Sequence, residues 1–145
     1  MSAALKAAIQ RTGRSCGTCS LCCKLPEIVV LNKPANTWCQ HRTPGNGCGI
    51  YQTRPTKCQN FGCGWLTDTG FGDVWFPARA KMYLTFTPAP DGRLDHLLVV
   101  DPAWPNRWRE APYLEALKRM ATRRRVVVSV GVQAFVVRAD TPEAS

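Results

Sequence analysis

Residues 16–25 read CGTCSLCCKL, four cysteines within eight positions, two of them adjacent. A hydrophobic core does not need thiols that dense, because a buried cysteine packs like any small apolar side chain. Dense thiols point to a disulfide framework, a redox pair or a bound metal. Cys16, Cys19, Cys22 and Cys23 are followed by Cys39, Cys48, Cys58 and Cys63, and the 82 residues after Cys63 contain no cysteine. The first residues, MSAALKAAIQRTGR, lack the apolar stretch of about 7–15 residues that marks a secretory signal. They read as a short lead-in helix, capped by Ser2 and stopped at Gly13. The expected compartment is therefore the reducing cytoplasm, where disulfides are rare. Thiolates are soft ligands, and closely spaced loop cysteines reach one ion with little loss of chain entropy, so metal is the favoured reading.

Geometry restricts how the eight thiols group. In a helix over 16–23, Cys16, Cys19 and Cys23 fall within roughly 60° of one another, and Cys22 points about 100° away from Cys23. In an extended chain the adjacent pair also diverges, since successive side chains alternate. The expectation is that Cys22 and Cys23 serve different ligand sets, with Cys16, Cys19 and Cys23 sharing a centre with one distant cysteine.

Cys48, Cys58 and Cys63 sit in CGIYQTRPTKCQNFGC, residues 48–63. Arg54-Pro55 reads as the entry to a helical turn bearing Cys58. Arg54 is a candidate cofactor-binding residue, placed to offset thiolate charge or to hydrogen-bond a sulfur. Its plainer reading is a surface arginine packed on Tyr51. Phe61 and Trp65 are expected to shield the site.

Together, the opening C-x2-C-x2-C-C and the element C-G-I-Y-x2-R-P-x2-C-x2-F resemble the CxxCxxCC family, described as zinc- or iron-chelating domains. The likeness spans residues 16 to about 65, slightly over a third of the chain. It implies a bacterial-type metal-binding domain with eight ligand cysteines: Cys16, Cys19, Cys22, Cys23, Cys39, Cys48, Cys58 and Cys63. The resemblance leaves zinc and iron open. Eight thiols divide into two four-thiolate zinc sites, and zinc needs no assembly machinery. The three cysteines at x2 spacing are also similar to a ferredoxin run that holds an iron–sulfur cluster, although the x3-Cys-Pro ending is missing. Zinc is the expectation and an iron–sulfur redox protein or enzyme component the alternative.

The second half reads as ordinary secondary structure. Strands are expected over DVWFPA (73–78), KMYLTFTP (81–88), DHLLVVDP (95–102), RRVVVSVG (124–131) and VQAFVVRA (132–139). PDGR (90–93) is a turn, APYLEALKRMA (111–121) a helix with Pro112 in its first turn, and Gly131 a turn or bulge. The fold class is α+β. A cysteine-rich part of loops and short helices (16–65) is expected to pack on a small antiparallel sheet with one helix (72–140), as one domain over 1–145.

Other chemistry is thin. His41 is an alternative ligand but reads better as a solvated loop residue, and His96 as a strand residue. Two histidines exclude a histidine-rich catalytic zinc site. Ser15, Ser20 and Ser129 have no histidine placed to activate them. Asp68, Asp73, Asp95 and Asp101 fall at turns and strand ends. No enzyme activity is assigned. The formal charge is +9, which ionised thiols holding divalent metal would lower without making the domain acidic. The run KRMATRRR (118–125) and five tryptophans suggest a zinc-stabilised nucleic-acid module as a third reading. Against it, cations at a helix C-terminus stabilise the dipole while remaining solvated, and Trp104 and Trp108 are expected to cap the core. No apolar run reaches the roughly 18 residues of a membrane span, so a metal ion is the expected partner, with no membrane and no identified protein.

Overall fold

The computed structural model describes residues 3–16, 19, 21–43, 47–50, 53–59 and 61–139. Their contacts divide the chain into two compact units, Met1–Tyr83 and Leu84–Ser145. Secondary structure follows an α+β pattern, as expected from the sequence.

The first unit opens with helix α1 (Ala3–Thr12). It ends where Gly13 takes a left-handed backbone, φ +66°, and the Gly13 N–H closes the last turn onto the Ile9 carbonyl at 3.0 Å. The expected cap at Ser2 lies outside the described residues. Every later element of this unit is short. Single 3-10 turns cover Leu21–Cys23 and Val29–Leu31. Strands β1 (Arg42–Thr43) and β2 (Gly47–Cys48) form a two-residue antiparallel ribbon. Helices α2 (Thr56–Gln59), α3 (Gly64–Thr67) and α4 (Pro77–Ala80) are one turn each.

The strand expected over 73–78 is not one. Asp73–Trp75 is a 3-10 turn and Pro77 starts α4. Proline cannot donate to a sheet ladder but is well suited to the first position of a helix, so Pro77 overrides the aromatic β preference of the residues before it.

The second unit is built on a sheet of order β3-β4-β5-β6, with β3 (Met82–Pro88) entering it across the unit boundary at Tyr83. The other strands are β4 (Leu94–Val100), β5 (Val126–Val130) and β6 (Gln133–Val137). The sheet is mixed, which corrects the expectation of an antiparallel one. β4 and β5 run parallel in the register Leu98↔Val128, while β5 and β6 are antiparallel. Parallel neighbours need a long crossover, and helix α5 (Tyr113–Ala121) supplies it. Pro112 stands just before α5 rather than in its first turn, and Gly131, φ +60°, turns the chain between β5 and β6. Leu98, Val100, Leu117, Val126 and Val128 are fully buried and Tyr113 nearly so, giving this unit a continuous apolar core.

The β3–β4 turn is fastened electrostatically. Asp91 accepts from the Arg93 N–H at 2.9 Å and from both terminal nitrogens of Arg124, at 2.9 and 3.2 Å. The Arg124 hydrogen bonds, then the Arg93 N–H, push its pKa down to about 2. A depressed carboxylate adds stability above its unfolded pKa, near 3.9, and loses it as the pH falls through the folded value. We expect the thermal stability of this unit to fall between about pH 4 and 2 and the fall to be shallower in Asp91→Asn. The pair is exposed, so salt should also flatten it. An acid profile unaltered by the substitution would remove this carboxylate from the account.

Candidate metal centre

All eight cysteines, although spread over residues 16–63, line one cavity of about 300 Å³ within the first unit. None is in a disulfide, seven are partly exposed and Cys63 is buried. Short elements bring them there. The Cys19 N–H folds back to the Cys16 carbonyl at 2.8 Å, and the 3-10 turn Leu21–Cys23 presents Cys22 and Cys23. The Cys39 N–H donates to the Cys23 carbonyl at 2.7 Å. Cys48 ends β2, opposite Arg42 of β1. Cys58 sits in α2, which Pro55 precedes as the sequence suggests, and Cys63 is the residue before α3.

Cys22 and Cys23 differ from the expectation of diverging thiols. Both line the same cavity. Among the described residues of 16–23, the regular structure is the three-residue 3-10 turn Leu21–Cys23 rather than a continuous helix. Their mutual interaction makes the pair unequal. It raises the pKa of Cys22, with burial adding to the rise, and lowers that of Cys23, with Lys33, Arg42 and Arg54 helping. Burial pushes the Cys16 thiol up to about 11 and also raises Cys19, Cys58 and Cys63. At neutral pH most of these thiols keep their protons, so taking up a soft cation here must release them.

The surrounding groups suit a cluster of sulfurs that becomes anionic. Arg54 lines the cavity, its charge lowers the pKa of Cys16, Cys23 and Cys58, and its Nη1 donates to the Cys58 carbonyl at 3.4 Å. Its other suggested neighbour, Tyr51, lies outside the described residues. Phe61 also lines the cavity and stands edge-on to Tyr83 at 5.0 Å. Trp65 instead packs on Phe76 at 4.8 Å, under the Arg14 guanidinium. The His41 ring approaches Gln40, while its backbone N–H points at the Cys39 sulfur at 3.5 Å. His96 lies in β4 against Phe86. Among the described residues, no three His, Cys, Asp or Glu side chains converge tightly enough to hold one bare ion. The donor set nevertheless fits metal in its chemistry: eight free thiols around one void, with cations beside them.

Lys33 and Tyr83 are among the lining residues that the sequence did not single out. Lys33 is only 5% exposed. Its ammonium donates to the carbonyls of Lys24, Pro26 and Pro34, which uses all three of its protons. It thereby ties down the loop between Cys23 and Cys39, which the Ile28↔Lys33 bridge also closes. Tyr83 lines the wall, its phenol pKa raised by burial and then by Cys22 and Cys63. A lone lysine in VVLNKP and a tyrosine in a strand carry no pattern that would single them out.

Three of the candidate aspartates serve the fold. Asp68 caps its own turn at the Gly70 N–H, 2.8 Å away, and Asp101 does the same at Ala103, 3.0 Å away. Asp95 lies inside β4, paired with Arg124 and Arg125. Trp108 is buried as expected of a core cap, but Trp104 is 51% exposed, which corrects that expectation for it. No helix among the described residues is long and apolar enough to cross a membrane. No protein family, curated protein or solved structure matches this chain.

Proposed function

We propose that this protein binds metal, zinc or iron, through Cys16, Cys19, Cys22, Cys23, Cys39, Cys48, Cys58 and Cys63. The observation that carries this reading is the convergence of all eight on one cavity. Distance along the chain does not require it, and a thiol needed only for packing gains nothing from it. The resemblance to the CxxCxxCC family points the same way. Metal saturated by thiolates is closed to substrate, so such a site supports folding and partner recognition rather than hydrolysis. Arg54 and Lys33 offset the charge of the thiolates.

An iron–sulfur cluster is the second reading. Cysteine thiols hold iron–sulfur clusters as well as zinc, so the same eight residues suit either. The nucleic-acid reading loses support, because Arg124 and Arg125 of the basic run are engaged by Asp91 and Asp95.

Metal, acid-labile sulfide and the visible spectrum should be measured on anaerobically purified protein. Zinc is expected at about two ions per chain in a colourless preparation. A brown preparation with sulfide and little zinc would move the assignment to the cluster. Folded protein carrying no stoichiometric metal would refute metal binding.

A further inference from the structure

We propose that the thiol cavity is built for a net-anionic metal centre and that Lys33 is its fixed counter-charge, a positioning residue rather than a ligand. The inference rests on the metal-binding reading above and names the sign of charge that the bound centre carries.

The sequence sets the electrostatics. Up to Asp68 it has one acidic residue, Glu27, against eight lysines and arginines. Glu27 is exposed, and its backbone carbonyl accepts from the Lys57 ammonium at 2.7 Å. Among the described residues, three cations line the cavity, Lys33, Arg54 and Lys57, and no carboxylate does. A hard cation such as calcium or magnesium is held by oxygen ligands, carboxylates above all, so this wall does not suit one. A divalent ion among neutral thiols would only add to the positive charge. Ionisation of the thiols resolves the conflict. When four of them take up one zinc ion, each passes its proton to solvent and the centre is left with a net charge of about −2.

Lys33 has the geometry of a counter-charge. Only 5% of it is exposed, and a lysine is almost never so buried without a partner. Its partners among the described residues are carbonyls: those of Lys24 at 2.8 Å, Pro34 at 3.0 Å and Pro26. Carbonyl dipoles hold the ammonium in place but leave its charge unneutralised. With three protons committed, it has none left to donate to a sulfur. What it offers the cavity is charge at a fixed point, out of water, where each electrostatic interaction is strengthened. Lys24 directly follows Cys23, and Pro34 lies on the way to Cys39. The bonds that place the charge therefore also hold together the two ends of the loop that carry these thiols. Lys57 differs, because it is exposed and its charge is screened.

The test is a zinc titration of the reduced, full-length protein, carried out anaerobically. Calorimetry in buffers of different ionisation enthalpy counts the protons released per ion. The wild type is expected to release more than about two protons per zinc near neutral pH, the sign of a net-anionic centre. Three variants separate charge from hydrogen bonding. Lys33→Arg keeps the charge, Lys33→Gln keeps a donor without the charge, and Lys33→Met keeps neither. Zinc affinity should fall about 10–100-fold in Lys33→Gln and Lys33→Met and much less in Lys33→Arg. Lys33→Gln matching the wild type would reduce Lys33 to a tie between carbonyls, and Lys33→Arg losing as much as Lys33→Met would equally overturn the counter-charge. Because a variant can fail to order its loop, the proton count of the wild type is an independent check. Two protons per zinc or fewer would overturn the net-anionic centre. A wild type that takes up no zinc would defeat the metal-binding reading itself, a result separable from both.

Discussion

On the metal-binding reading proposed above, removing metal under reducing conditions is expected to unfold residues 16–65 while the sheet of the second unit persists. The reason lies in where apolar burial occurs. From Val29 to Gln59, Lys33 is the only buried residue among those described. Leu21, Leu25 and Ile28 precede that stretch, and Cys63 and Leu66 follow it. Its elements are two to four residues long, far below the roughly 12–15 at which a helix is even marginal alone. A segment of this kind cannot offset its own conformational entropy, about 1–2 kcal/mol per ordered residue. Structural zinc supplies on the order of 10–16 kcal/mol in small thiolate domains, enough to decide whether the segment is folded. Hydrogen exchange before and after chelation provides the measurement. Amides such as Cys39 N–H and Gly49 N–H should lose protection, and those of β4 and β5 should keep most of theirs. Full protection of 16–65 after complete demetallation would mean that packing, not metal, orders it.

The sequence made the second unit legible because its periodicities are strong. β-branched runs marked β5 and β6, and Asp91-Gly92 marked the turn before β4. Pairing was less legible. β4 and β5 look alike as apolar strands, and nothing in either shows that α5 returns the chain to make them parallel. At the cysteines the reverse held. Membership of the cavity was readable, because eight thiols in 48 residues have few other uses. Side-chain direction was not, since it depends on a 3-10 turn at Leu21–Cys23 that leaves no periodic trace. Lys33 was hidden for a related reason. A lysine reads as solvated by default, and its burial depends on three carbonyls that only the folded loop brings together.

Replacing both Arg124 and Arg125 by methionine is expected to destabilise the second unit by more than the loss of an exposed ion pair would. Asp95 is the cause. Its side chain is 2% exposed within β4, and its two oxygens meet Arg124 at 3.2 Å and Arg125 at 2.7 Å. The Arg125 Nε adds a second bond at 2.8 Å, so the carboxylate is held by a two-pronged contact on one side. Arg124 also donates to the Leu94 carbonyl at 3.0 Å, which ties the start of β4 to the end of the crossover just before β5. Removing both cations strands a buried carboxylate, which costs far more than an exposed pair is worth. The Arg125 side chain is 49% exposed, so water screens part of the interaction and moderates the loss. Urea unfolding of the second unit's signal should show the loss. Adding Asp95→Asn to the double variant removes the stranded charge and should restore most of the stability, whereas a contribution from arginine packing alone would not be restored. If the double variant lost less than about 1 kcal/mol, as exposed pairs do, Arg124 and Arg125 would be surface cations after all, and the nucleic-acid reading of the basic run would regain its footing.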